Sequence, residues 1–76
     1  MFIYKIRNKK NGLFSTGSIN YSWNKHGKIW TEIRFLRLHL NLIKSYKKEY
    51  LDDIEIVIYE VNEYKNVNIN KIFKDL

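Results

Sequence analysis

The chain holds two histidines, His26 and His39, no cysteine, and eight acids. A histidine acting as a general base needs a nucleophile in reach and a third group to orient it. No catalytic signature of that kind stands in the sequence. His39 falls among Phe35, Leu36, Leu42 and Ile43, one helical turn away on either side, so it reads as a core histidine bonded to a neighbour. His26 lies in a polar turn and is expected to be exposed. A zinc site on two histidines would need carboxylate help, and their spacing of 13 fits no common ligand pattern. Asp52, Asp53 and Glu55 cluster, but acids are common where a helix turns into a strand. No metal, no cofactor and no enzyme activity are expected.

Two further patterns bear on anions. Gly12-Leu13-Phe14-Ser15-Thr16-Gly17-Ser18 has the small residues and hydroxyls of a phosphate cradle, yet it is not a P-loop. Gly27-Lys28 is followed by Ile29, and the glycine required five residues earlier is Ser22. A hairpin strand ending in a glycine turn is the favoured reading of it. The second pattern is basic. Residues 1–50 hold eleven lysines and arginines against Glu32 and Glu49, a net +9, whereas residues 51–76 hold three lysines against six acids, a net −3. A basic N-terminal two-thirds suits nucleic acid, a nucleotide or an acidic protein surface, although a solvated, solubilising surface gives the same count. The candidate partner- or nucleic-acid-binding residues are Lys5, Arg7, Lys9, Lys10, Lys28, Trp30, Arg34, Arg37, Lys44 and Lys48. Tyr4, Tyr21, Trp23 and Trp30 interleave with the first of these, and exposed rings there would stack on bases.

The element that must position these residues is Thr31–Leu51. Leu36, Leu38, Leu40 and Leu42 alternate with Arg37, His39 and Asn41, which is the period of a strand. The leucines and the length of the segment favour a helix. Wound at about 100° per residue, Ile33, Phe35, Leu36, Leu38, Leu40, Leu42, Ile43, Tyr46 and Tyr50 cover one side. Arg34, Arg37, Asn41, Lys44, Ser45 and Lys48 gather on the other. Thr31 suits the N-cap, with Glu32 at the positive end of the helix dipole.

Phe2 to Arg7 alternates as a first strand, Asn8–Gly12 turns the chain with an Asn-Gly hairpin signal, and Leu13–Thr16 returns. Ile19–Gly27 reads as loop, and Lys28–Trp30 as a short third strand. Ile54–Val61 is apolar on both faces at its middle and is expected to be an inner strand, covered on each side. Asn68 caps a last helix carrying Ile69, Ile72, Phe73 and Leu76. The order β-β-β-α-β-α predicts one small α+β domain, residues 1–76, built on an antiparallel sheet.

With 76 residues the core must be small, and 16% aromatic content is the means of filling it. No apolar run approaches the roughly 20 residues of a membrane span. Charge follows Met1-Phe2-Ile3-Tyr4 at once, unlike a secretory signal. The expectation is a cytoplasmic protein without a membrane partner, a monomer or small homo-oligomer.

Lys5, Arg7, Asn8 and Lys9; Gly12, Leu13, Phe14 and Ser15; Gly27, Lys28 and Trp30; and Leu36, His39 and Leu40 form a KxRNK…GLFS…GKxW…LxxHL pattern. Over about the first 43 residues the chain thereby resembles a group of small phage-encoded proteins. The resemblance implies a phage or prophage accessory protein acting in the host bacterial cytoplasm, where single-domain inhibitors of bacterial defence are common. Three strands before a helix also resemble, in architecture alone, the DNA-binding modules of some phage integrases. Three functions follow. The first is a stoichiometric counter-defence binder, anti-CRISPR-like, that blocks a bacterial defence protein or nucleoprotein complex such as a CRISPR effector. The second is direct DNA or RNA binding by the three strands and the helix stripe. The third is a sponge for a signalling nucleotide, lined by Ser15, Thr16, Ser18, Lys28 and Trp30.

Overall fold

The structure is a computed structural model that describes residues 1–63 together with Asn66 and Asn68. The last helix expected from Asn68 onward lies outside the described residues. Strand β1 (Phe2–Asn8) leads through the Asn8–Gly12 turn into β2 (Phe14–Ser15). That turn uses its asparagines as expected: Asn8 Oδ1 accepts from Lys10 N–H at 2.8 Å, and Asn11 Oδ1 from Leu13 N–H at 2.9 Å. Gly12 supplies a φ of 73°, which a side chain there would resist.

The third strand is not where the pattern placed it. β3 is Trp23–Asn24, inside the stretch read as loop, and it pairs Ser15 with Trp23 and Phe14 with Asn24. Lys28–Trp30 makes only an isolated bridge, Trp30 exchanging backbone bonds of 2.8 and 2.9 Å with Tyr4. The reason is local supply. β2 is two residues long and pairs with β1 only at Arg7, so Tyr4 needs another backbone beside it.

Helix α1 spans Ile33–Tyr46. Thr31 does not cap it: the N-cap is Glu32, with no side-chain cap bond. The helix also stops short of Leu51. Lys47 N–H closes onto the Ile43 carbonyl, and a 3-10 helix, Lys48–Asp53, follows. Tightening the chain there brings Tyr50 edge-on to Trp23 (5.6 Å between ring centres, 84° between planes) and lets Leu51 pack against the core.

β4 (Ile54–Glu60) then pairs antiparallel with β1 along its whole length, from Phe2↔Glu60 to Asn8↔Ile54. The sheet order is β3-β2-β1-β4, so the fold is the expected small α+β architecture with a four-stranded antiparallel sheet and one main helix. The inner strand on that side is β1. β4, expected to be an inner strand covered on each side, is at the edge of the sheet formed by the described residues.

Ile6, Trp30, Leu36 and Ile43 are the buried apolar residues among those described, with Tyr4, Tyr21, Trp23, Leu40, Tyr50, Leu51 and Ile54 partly buried around them. Cross-strand partners share a face, so Asn8, Ile6, Tyr4 and Phe2 lie on the α1 side with Ile54, Ile56, Ile58 and Glu60. Ile3, Lys5, Arg7, Phe14, Glu55, Val57 and Tyr59 lie on the opposite face. No helix among the described residues is long and apolar enough to cross a membrane.

Candidate functional site

The ten candidate residues separate by what already holds them. Arg7 is fixed across the β1–β4 ladder to Glu55, with Nε and Nη2 each 2.7 Å from the same carboxylate oxygen. Lys10 meets Asp53 at 3.3 Å. Arg34 Nε donates to Glu32 Oε2 at 2.9 Å, and its guanidinium lies 4.8 Å from the Phe35 ring centre. Lys5 donates from Nζ to the His26 carbonyl at 2.7 Å and sits 4.7 Å over the Phe14 ring. Lys28 extends over Trp30 at 5.3 Å. These five cations have local work.

Lys9, Arg37, Lys44 and Lys48 are exposed, and no ion pair forms at any of them among the described residues. Lys9 projects from the hairpin turn. Lys48 belongs to the 3-10 helix, so the expected four-residue helix stripe does not run on through it. What α1 itself presents unpaired is Arg37 and Lys44. Seven residues apart, they share an azimuth and stand about 10 Å apart along the axis. That span serves two separate anionic groups better than one phosphate.

Trp30 is a correction. It is only 3% exposed, packed in the core, and cannot stack on a ligand. Tyr4, Tyr21 and Trp23 likewise pack against the core cluster. The interleaved rings therefore belong to the core and its margin, not to a stacking surface.

The hydroxyl cradle is also spent internally. Thr16 Oγ1 lies 2.6 Å from Ser22 Oγ and 3.1 Å from Ser18 Oγ, and Ser18 and Ser22 meet at 3.1 Å. Ser15 is 1% exposed and accepts from Gly17 N–H at 3.1 Å. A Cβ on Gly17 would come within 2.5 Å of Lys28 Cδ and 3.0 Å of Trp30, so this glycine serves close packing. Ser15 and Trp30 cannot line a nucleotide pocket.

Ser15 Oγ does face a histidine: His39 Nε2 is 3.5 Å away, both side chains being buried. The rings of Tyr21 and Trp30 lie 6.0 and 5.5 Å from His39. Burial, and then the charge of Lys28, push its pKa below the usual histidine value and keep the ring neutral. A serine shielded by two rings cannot reach a substrate carbonyl. The pair is a core contact, as expected for His39. Among the described residues, no group of three or more histidines and acids is placed to hold a metal ion.

The helical pattern places Phe35, Leu38, Leu42 and Tyr46 on the apolar side of the helix, but they are 50, 59, 42 and 71% exposed. Only Leu36, His39 and Ile43 are buried in α1. The exposed four form a second apolar stripe, beside the buried one and across the helix from Arg37 and Lys44. No spacing distinguishes the two stripes, because both repeat at three and four residues. No family model matches the chain, and no curated protein and no solved structure matches it.

Proposed function

We propose that this protein is a stoichiometric binder of the phage counter-defence kind that its resemblance implies, acting on a bacterial defence protein or nucleoprotein machine such as a CRISPR effector. The observation that carries this reading is the surface of α1. Among the described residues Arg37 and Lys44 stand exposed without acidic partners on one side of it, and Phe35, Leu38, Leu42 and Tyr46 stand exposed on another. Bare nucleic acid would use the cations and leave the apolar stripe in water. A protein surface bearing acidic groups or bound nucleic acid uses both, since interface cores are apolar and rims are polar.

The test is phage plating on hosts carrying defined defence systems, CRISPR effectors among them. Phage expressing the protein should gain protection against one system, and Arg37→Glu with Lys44→Glu, or Leu38→Ser with Leu42→Ser, should remove it. No protection against any system of the host range sinks the reading. Direct DNA or RNA binding is the competing reading, supported by the same two cations. A shift assay separates them: bare nucleic acid binding should weaken with log salt by about 0.9 per phosphate, and by roughly 1.8 less in the double charge variant.

A further inference from the structure

Among the described residues β4 is an edge strand, and its protection is limited to two glutamates. Its sequence, Ile54-Glu55-Ile56-Val57-Ile58-Tyr59-Glu60, has no proline, glycine or lysine, and it pairs regularly with β1 over all seven residues. Which backbone groups face outward follows from the register. Val61 N–H bonds to the Met1 carbonyl and Lys9 N–H to the Asp53 carbonyl, while Tyr4 exchanges both its bonds with Trp30 on the far side of β1. Odd-numbered residues of β4 therefore point their N–H and C=O groups at β1. Ile54, Ile56, Ile58 and Glu60 point theirs at the open edge, and none of them takes a further backbone partner among the described residues.

We infer that this edge pairs with β4 of a second copy, antiparallel about a twofold axis at Val57, to give a continuous eight-stranded sheet. The sequence is close to self-complementary in that register. Val57 meets Val57, Ile56 meets Ile58, and all four outward residues of each strand enter hydrogen-bonded pairs. Ile56 and Ile58, 36 and 60% exposed in the single chain, cover one another.

Charge is compatible with this register. Glu55 faces Tyr59 and is already held by Arg7 at 2.7 Å. Glu60 faces Ile54, and the two Glu60 side chains stand about 20 Å apart, beyond the Debye length of about 8 Å. Centring the axis on Glu55 or Glu60 instead would set acid directly against acid. The chain's excess of positive charge is carried by residues 1–50, so it does not concentrate on this edge.

The experiment measures the mass of the full chain by sedimentation across a range of concentrations, with three variants. The expected mass is twice 9.3 kDa. Ile58→Pro removes an outward N–H and leaves the β1 bonds intact, so it should give a folded monomer by circular dichroism. Two cysteine variants read the register, since the chain has no cysteine of its own. Val57→Cys should form an intermolecular disulfide under mild oxidation, because directly opposed residues lie within disulfide range. Tyr59→Cys should not, its copies being about 14 Å apart along the strands. A monomer at every concentration overturns the inference and leaves the edge to a strand of another protein or to residues 64–76 of this one. A dimer in which neither cysteine variant distinguishes itself overturns it too, and points to the apolar stripe of α1.

Discussion

β1 and β4 lie side by side, each seven residues long and matched residue for residue, yet they occupy different environments. Ile6 in β1 is 0% exposed, and its direct partner in β4, Ile56, is 36% exposed. Ile58, opposite half-buried Tyr4, is 60% exposed. β4 is the more apolar of the two, with apolar residues on both faces at its middle, whereas β1 alternates. The difference comes from neighbours. β1 has β4 on one side and both β2 and Trp30 on the other, with α1 over Ile6. β4 has β1 alone. The apolar content of a strand reports how well it would tolerate burial, and the order of strands decides whether burial occurs.

The largest break in this comparison is expected from Trp30→Ala, which removes a core ring and loosens the backbone that flanks Tyr4. Aromatic truncation in a core costs about 3–5 kcal/mol. A chain of this length holds only about 4–11 kcal/mol in total. The variant should be largely unfolded by near-ultraviolet circular dichroism, whereas a purely ligand-facing tryptophan would leave the fold intact.

A direct measure of the two strands is Ile6→Ala against Ile58→Ala. The first should cost roughly 2–4 kcal/mol by urea denaturation, the second no more than about 0.5 kcal/mol in the monomer. Equal losses would mean that β4 is covered in solution, and a loss at Ile58 that grows with protein concentration would locate the cover in a second copy.

His39 sharpens the account of the core beneath β1. Its pKa is lowered in the folded state, so the unfolded chain binds the proton more readily. Stability should be full above the unfolded value of about 6.5 and fall as pH drops below it. His39→Gln should flatten the profile below about pH 6.5, at some general cost in stability. An unchanged slope would assign the pH dependence elsewhere.

The smallest effect on the fold is expected at the solvated side of α1. Arg37→Glu with Lys44→Glu should shift stability by no more than about 0.5 kcal/mol per site, because neither cation holds an ion pair in the described structure. Loss of function with an unchanged melting temperature would separate recognition from folding, whereas Arg7→Ala should disturb both by releasing Glu55 into the β1–β4 ladder.

By itself the sequence determined the local elements whose cause is local. The Asn8–Gly12 turn follows from asparagine side chains and a glycine with positive φ, the main helix from its leucine content and length, and His39 as a core residue from its apolar neighbours. It also placed most of the cationic residues on the surface, since lysine and arginine are costly to bury. Tertiary structure alone decided the rest. Which of two apolar stripes on α1 is buried depends on which one the fold turns toward Ile6 and Trp30, and both stripes have the same period. Helix end and third strand were set by long-range contacts, Tyr50 against Trp23 and Trp30 beside Tyr4, which no window of the sequence contains. Among the candidate cations, Arg7 and Lys10 were taken out of play by Glu55 and Asp53, acids more than 40 positions away that only the folding of β4 against β1 brings within 4 Å. Charge type is written in the residue, but its availability depends on what the fold places next to it.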